Sequence, residues 1–217
     1  MTTSWKDIGE GLCGALVITG SLATPFMRQW RLHWGATDAD IERTLPGDDL
    51  VPHPRWQYTN AITIDSPVAG VWPWLVQVGQ GRGGWYSYAW LENLVGCKIQ
   101  NADRIIPEFQ DLKAGGSVRL SAGLPGYPVA IVEFERAIVL YADSRTGPTP
   151  VPTGEKPGDY YASTWAFYLD ETDEKRTRFI TRLRSDYNPR LLQKLMFGPG
   201  LQESVSTAMQ RKMLKEI

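Results

Sequence analysis

Residues 79–96 read GQGRGGWYSYAWLENLVG and combine a glycine-rich segment with a dense group of aromatic side chains. Four of the first six residues are glycine, which accepts backbone angles closed to other residues, so Gly79–Gly84 is predicted to be a loop. Four aromatic residues follow within six positions: Trp85, Tyr86, Tyr88 and Trp90. Their rings supply apolar area, and their O–H and N–H groups can hold a ligand. The stretch therefore predicts either the wall of a ligand pocket or an aromatic part of the core.

Gly79, Gly81 and Gly84 also match the G-x-G-x-x-G spacing of dinucleotide-binding loops. That fingerprint follows a strand and opens a helix within a β-α-β unit. Here the preceding residues 67–78 have the pattern of a helix that begins after Ser66 and is kinked at Pro73. No P-loop lysine follows the glycines, so nucleotide binding is not predicted.

Alternating apolar residues predict strands on both sides of this stretch. The expected strands are about residues 56–64, 117–121, 129–134, 137–142, 160–169 and 176–184. Residues 143–159 hold four prolines and three glycines and are predicted to be a long mobile connection.

The end of the chain has the pattern of a helix that begins after a break at Gly198-Pro199-Gly200. Apolar residues recur there every four positions: Leu201, Val205, Met209, Met213 and Ile217. Such a stripe predicts an amphipathic helix, and methionine on it is adaptable enough to form a pocket wall.

Residues 1–55 are predicted to be a helical extension in front of a ligand-binding domain of residues 56–217. Residues 11–27 contain no Asp, Glu, Lys or Arg, yet the run is shorter than the ~20 apolar residues that span a bilayer and is diluted by polar residues. We predict a helix there, packed on the domain or on a partner. Membrane contact through residues 11–27 is the alternative, because Arg28 and Trp30 follow and would suit a membrane interface. Thr37 and Asp40 predict the start of a further helix.

The 217-residue chain has 42% apolar and 22% charged residues, which is typical of a globular protein. Its net charge of −1 gives no overall electrostatic basis for binding nucleic acid or anionic lipid. Two distant cysteines and two histidines support neither a disulfide framework nor a metal site. We therefore expect a cytoplasmic protein without metal or cofactor, whose acid–base chemistry would depend on Asp, Glu or Tyr.

The order of strand, two short helices, antiparallel strands and long C-terminal helix resembles the helix-grip fold of the START and birch-pollen-allergen-like superfamily, also called SRPBCC or polyketide cyclase/lipid transport. Within it, about residues 28–217 resemble a bacterial group. Three pieces carry this resemblance: WGAT at 34–37 with LPGD at 45–48, VWPWL at 71–75 continuing into 79–94, and ADRI at 102–105 with PE at 107–108. The chain departs from the group at Ala89, where aspartate is common, and at Gly115-Gly116, where Gly-Asp is usual.

The resemblance implies an α+β fold in which a curved antiparallel sheet wraps around the C-terminal helix and encloses an apolar cavity for a small hydrophobic molecule. The protein would be a cyclase- or lyase-type enzyme acting on a polyketide or terpenoid-like substrate, or else a carrier or sensor that leaves its ligand unchanged. Candidate catalytic residues are Tyr88, Glu92 and Asp103. Candidate ligand-binding residues are Trp85, Tyr86, Trp90, Glu133, Trp165 and Met209. Glu133 would have a raised pKa if it faces inward and would be solvated if it faces outward.

Arg178, Arg182 and Arg184 alternate on one face of the last predicted strand. They would either neutralise an acidic ligand or lie on the solvated outer face of the sheet. The second interpretation is favoured.

Overall fold

The computed structural model describes residues 5–23, 25–147, 149, 157–173, 175–188, 190, 198 and 201–217. Six α-helices lie in this part of the chain: α1 Trp5–Ala23, α2 Arg28–Leu32, α3 Asp38–Glu42, α4 Val68–Val76, α5 Ala89–Leu94 and α6 Leu201–Glu216. The same residues contain six strands: β1 Trp56–Ile64, β2 Ser117–Arg119, β3 Gly126–Glu133, β4 Ala137–Asp143, β5 Tyr161–Asp173 and β6 Arg176–Tyr187. Short 3₁₀ helices occur at Pro25–Met27, Asp48–Leu50 and Pro107–Phe109.

The strands form one antiparallel sheet in the order β1-β6-β5-β4-β3-β2. The first strand therefore lies beside the last, with Trp56 opposite Ser185 and Ile64 opposite Thr177. Helix α6 lies against the inner face of this curved sheet, where Gln210 contacts side chains of β1 and β5. The predicted α+β helix-grip fold is confirmed.

The main core lies between the inner face of the sheet, α4 and α6. Leu75 from α4, Phe167 and Phe179 from the central strands, and Met213 and Leu214 from α6 are all buried in it. Removing such apolar surface from water is the main favourable term in folding. Of the predicted apolar stripe of the last helix, Met213 lies in this core, whereas Val205 and Met209 border the space between α6 and the sheet.

The glycine-rich segment is a closed loop after a helix. Gly79 and Gly84 pair with each other, with Gly79 N donating to Gly84 O at 2.8 Å and Gly84 N donating to Gly79 O at 3.0 Å. Gly79, Gly81 and Gly84 have φ angles of 121°, 74° and 81°, which residues with a Cβ rarely adopt. Because α4 precedes the loop, the context of a dinucleotide-binding strand is missing, as predicted from the sequence.

The three arginines of β6 are on the outer face of the sheet, but the expectation that they are solvated is wrong. The N-terminal segment 34–51 covers this face, and the Arg182 side chain is only 2% exposed. The Arg182 guanidinium donates five hydrogen bonds, to Thr59 Oγ1, to Asp48 Oδ2 and to the carbonyls of Asp40, Ile41 and Arg43. Arg178 pairs with Asp40 at 2.6 Å. The arginines therefore attach the N-terminal segment to the sheet.

Helix α1 packs on α5 and α6 through two glycines. A Cβ at Gly11 would overlap the Trp90 ring, and a Cβ at Gly14 would lie 2.8 Å from Tyr88 Cγ. The two aromatic side chains thus fit against helix backbone that larger residues would block. Within the described part of the chain, no helix combines the length and the apolar character needed to cross a membrane.

Two predicted features lie partly outside the described residues. Residues 148 and 150–156 of the predicted mobile connection are among those the structure does not describe, and so are residues 199 and 200 of the predicted break before α6.

Candidate ligand-binding cavity

A cavity of about 610 Å³ lies between the inner face of the sheet, the α5 region and α6. The sheet contributes Tyr58, Tyr127, Tyr161, Trp165 and Leu183. The segment around α5 contributes Trp85, Ser87, Tyr88, Leu91, Glu92 and Val95. Helix α6 contributes Gln202, Val205, Ser206, Met209, Gln210 and Met213. The volume and the mostly apolar wall with a few polar groups are those of small-molecule sites.

The α5 side of the cavity follows helical geometry. Tyr88, Leu91, Glu92 and Val95 are spaced i, i+3, i+4 and i+7, so they project from one face of the helix toward the cavity. Trp90 is two positions from Tyr88 and Glu92 and therefore projects the opposite way, where it packs on Gly11.

Two tryptophans form a stacked wall of the cavity. The rings of Trp85 and Trp165 are 5.0 Å apart between centroids and inclined by 13°. Trp165 Nε1 donates to Gln210 Oε1 of α6 at 3.0 Å. Asn101 Oδ1 accepts hydrogen bonds from the backbone N–H groups of Trp85 and Tyr86, at 3.1 and 2.9 Å, and so fixes the loop that presents Trp85.

Glu92 is the buried acid of the cavity. It is 5% exposed, and its Oε2 atom has no hydrogen-bond partner among the described residues. Burial raises the pKa of Glu92 to about 7, because desolvation disfavours the carboxylate. Burial, together with the nearby Glu92 charge, raises the pKa of the Cys97 thiol, so this cysteine is not an activated nucleophile.

Further polar atoms of the cavity residues lack partners. In the described part of the chain, Ser87 Oγ, Trp85 Nε1 and Gln202 Oε1 are buried without a hydrogen-bond partner. Buried polar atoms are normally paired, so each exception calls for an explanation. A ligand that carries one polar head would provide it.

The tyrosines around the cavity are hydrogen-bond donors at neutral pH, because burial raises the pKa of Tyr58, Tyr88 and Tyr127. Tyr58 OH donates to Gln210 Oε1 at 3.3 Å, and Tyr127 OH is hydrogen-bonded to Ser163 Oγ. These two hydroxyls have protein partners.

The structure separates the residues that the sequence groups as one site. Trp85, Tyr88, Glu92, Trp165 and Met209 line the cavity. Tyr86, Trp90, Glu133 and Asp103 do not.

Each of these four residues has another environment. Tyr86 has a φ of 50°, and its hydroxyl accepts a hydrogen bond from Gln77 Nε2 at 2.7 Å behind the loop. Glu133 ends β3 and pairs with exposed Arg136 at 2.8 Å. Asp103 is exposed in an irregular segment. A role on a ligand in this cavity is therefore not proposed for them.

Sequence reasoning missed the polar cavity residues Tyr58, Tyr161, Ser87, Gln202 and Gln210. The alternation of side chains along a strand could have identified one of them. Tyr161 is four residues from Trp165 in β5, so both side chains point to the same face of the sheet. Within the described residues, no group of three His, Cys, Asp or Glu side chains is placed to hold a metal ion.

No protein-family model matches the chain, and no curated protein matches it. Similar solved structures include norcoclaurine synthase from Thalictrum flavum, at 12% identity over 74% of this chain and 84% of that chain, with a TM-score of 0.36. CalU16 from Micromonospora echinospora has 13% identity over 74% of this chain and 85% of that chain, with a TM-score of 0.36. A protein from Nitrosospira multiformis has 16% identity over 74% of this chain and 95% of that chain, with a TM-score of 0.40. These values assign no residue roles.

Proposed function

We propose that the protein binds a small hydrophobic molecule with one polar head in the cavity, and that it is a cyclase-like enzyme acting on a polyketide or terpenoid-like chain. The observation that carries this proposal is the buried Glu92 carboxyl, which has an unpartnered oxygen among the described residues and borders an otherwise apolar cavity. An apolar body would fill the space between Trp85, Trp165 and Met209, with its polar head at Glu92 and Ser87.

Glu92 is suited to proton transfer because a pKa of about 7 lets it both accept and donate a proton near neutral pH. In an aldol-type cyclisation, the Glu92 carboxylate takes a proton from a carbon beside a carbonyl group of the bound chain. The resulting enolate carbon attacks a second carbonyl of the same chain and forms the ring bond. The Glu92 carboxyl then returns its proton to the new alkoxide, and Ser87 Oγ–H donates to that oxygen as charge develops.

The walls of the cavity supply the second part of catalysis. Holding both carbonyl groups of one flexible chain within a cavity of about 610 Å³ restricts its conformers before the bond forms. The stacked pair Trp85–Trp165 is rigid enough to hold a chain in one folded form.

A non-catalytic carrier is the second candidate, and one observation favours it. Of the three candidate catalytic residues, Asp103 lies away from the cavity, and of the two that line it only Glu92 is a carboxylic acid. A carrier needs only the apolar wall and a hydrogen-bonding head site.

The test begins with native mass spectrometry of the freshly purified protein and identification of any released molecule. Linear polyketone chains are then assayed for cyclisation with wild type, Glu92→Gln, Tyr88→Phe and Met209→Trp. We expect Met209→Trp to weaken binding strongly because the larger side chain takes up part of the cavity wall and the space beside it. Glu92→Gln should lower turnover about 100-fold or more while affinity changes by no more than about threefold, since general acid–base catalysis contributes that much.

A carrier gives a different pattern: the bound molecule leaves unchanged, and Glu92→Gln affects only affinity. Equal turnover of Tyr88→Phe and wild type removes the Tyr88 hydroxyl from the mechanism. Unchanged binding in Met209→Trp contradicts the proposed site altogether.

A further inference from the structure

Exposed apolar side chains are concentrated in two segments of the chain that pack on each other, α1–α2 and the end of α5. Among the described residues ten large apolar side chains are exposed, and only Phe134 lies outside the α1–α2 segment and the end of α5. We define the α1 surface by six of the others: Trp5, Leu12, Leu16, Phe26, Leu94 and Val95. Trp5 is 88% exposed and Leu16 is 72% exposed. Scattered single apolar residues are ordinary on a protein, but a contiguous group marks an interaction site.

The packing of α1 explains why this face is left uncovered. Trp5, Leu12 and Leu16 are seven and four positions apart and share one face of the helix. Gly14 is about half a turn away from them and packs on Tyr88, so the protein occupies the opposite face. No charged residue interrupts the chain from residue 11 to residue 27.

The mouth of the cavity adjoins the α1 surface. Val95 lines the cavity and is also 77% exposed, so the cavity opens beside the end of α5. Leu94 is one helical turn beyond Trp90, which packs on Gly11 of α1. Val95 therefore belongs both to the cavity wall and to the exposed apolar residues of the α1 surface.

Near α2, two cationic side chains of α6 lie over tryptophan rings. The Arg211 guanidinium lies 5.1 Å from the ring centre of half-exposed Trp30 and 4.9 Å from that of Trp34. Lys215 Nζ lies 5.8 Å from the ring centre of Trp34. Exposed tryptophan beside Arg and Lys suits the headgroup layer of a membrane that contains anionic lipids.

A bilayer fits these features better than a second copy of the chain does. The hydrocarbon layer of a bilayer can surround the exposed face of α1, whereas a protein partner would need a groove that matches this helix. Interfacial helices lie in the membrane plane with Trp, Phe and Leu inserted, as the α1 surface would.

We propose that the α1 surface docks the protein on an anionic lipid bilayer and places the mouth of the cavity at the membrane. Uptake of a membrane-resident ligand through this mouth rests on the proposed function, whereas the docking itself does not. The ligand would then be an amphiphile of the bilayer, with an apolar body and one polar head.

Vesicle sedimentation of the full chain tests the docking. The vesicles are made of phosphatidylcholine alone or of phosphatidylcholine with phosphatidylserine. We compare wild type with the double variant Leu12→Ser/Leu16→Ser and with Phe26→Ser, which alter exposed side chains and should leave the circular-dichroism spectrum unchanged. The matched control is Phe134→Ser, which removes an equally apolar, 77% exposed residue elsewhere on the molecule.

We expect wild type and Phe134→Ser to bind, more strongly when phosphatidylserine is present, and the double variant to bind about tenfold or more weakly because two inserted apolar side chains are lost. Absence of wild-type binding, or equal binding by the double variant and Phe134→Ser, overturns the proposal. A dimer in light scattering that the double variant dissociates, with no vesicle binding, assigns the surface to a second copy and also overturns it.

The two proposals can fail separately. Binding of the molecule identified by mass spectrometry is measured without lipid. Met209→Trp should lose most of that binding and still sediment with vesicles, whereas the double variant should keep it and stay in solution.

Discussion

On the outer face of the sheet, the Arg182 guanidinium donates hydrogen bonds to five oxygen atoms and is fully covered by the N-terminal segment. On the cavity side, Glu92 Oε2 and Ser87 Oγ are just as buried but have no partner among the described residues. A buried polar atom without a hydrogen bond costs about 1–3 kcal/mol. The outer face is therefore held by paired polar groups, whereas the cavity contains buried polar atoms that have no protein partner among the described residues.

The largest expected effect tests the outer face. Arg182→Met removes the buried guanidinium that donates to the Asp48 carboxylate and to three backbone carbonyls, so we expect the free energy of unfolding to fall by about 3–5 kcal/mol. Denaturant unfolding measures it. The control Lys113→Met removes an exposed lysine paired with exposed Asp111, where a loss of no more than about 1 kcal/mol is expected. Equal losses in the two variants would show that Arg182 stabilises the fold no more than an exposed ion-paired residue does.

The next-largest effect concerns Glu92, the buried acid, and is seen in how the free energy of unfolding depends on pH. The folded pKa of Glu92 is about 7 and its ordinary value is 4.5, so between these values the folded state holds a proton that the unfolded state has lost. Stability from this group is therefore full below about pH 4.5 and falls as the pH rises to about 7, by roughly 3 kcal/mol in total.

Glu92→Gln has no such proton, so above about pH 7 it should be more stable than wild type by roughly 2–3 kcal/mol, and near pH 4 the difference should disappear. Urea unfolding across this pH range gives the profile. Glu133→Gln is the control, because that carboxylate is partly exposed and ion-paired with Arg136. A wild-type profile that matches Glu92→Gln at every pH would show that the acid is not desolvated.

Much of the fold can be predicted from the sequence because strand and helix periods are local. The alternation from Trp56 to Ile64 gives the bounds of β1, and the period-four stripe of α6 gives the face turned toward the core and the cavity. Within α5, the same periodicity would have separated Tyr88 and Glu92 from Trp90.

The rest depends on contacts between distant segments. Tyr86 projects away from the cavity because its φ is positive and Gln77 holds its hydroxyl. Arg182 is buried because residues 34–51 cross the outer face, and strand alternation alone does not show what covers a face. Several polar atoms of the cavity residues have no hydrogen-bond partner among the described residues, and a sequence does not show which buried atoms lack one.

A smaller effect tests a local contact of the segment that covers the outer face. Thr37 caps α3, with its hydroxyl accepting from Asp40 N at 3.2 Å while Asp40 Oδ2 accepts from Thr37 N at 2.8 Å. Thr37→Ala should lower the free energy of unfolding by about 1 kcal/mol, whereas Thr37→Ser keeps the hydroxyl and most of the stability. Thermal unfolding of the two variants resolves the difference. Similar losses in both would mean that the cap is not what stabilises this segment.

The smallest effect compares two serines of the inner side. Ser163 Oγ is hydrogen-bonded to Tyr127 OH, so Ser163→Ala removes a buried hydrogen bond and should cost about 1–2 kcal/mol. Ser87 Oγ is equally buried and has no partner in the described part of the chain, so Ser87→Ala should not destabilise the fold and should raise the free energy of unfolding by about 1 kcal/mol. The same variant should weaken binding of a ligand whose head contacts Ser87. If Ser87→Ala is instead as destabilising as Ser163→Ala, the Ser87 hydroxyl stabilises the fold. Glu92 alone would then distinguish the cavity from the fully paired outer face.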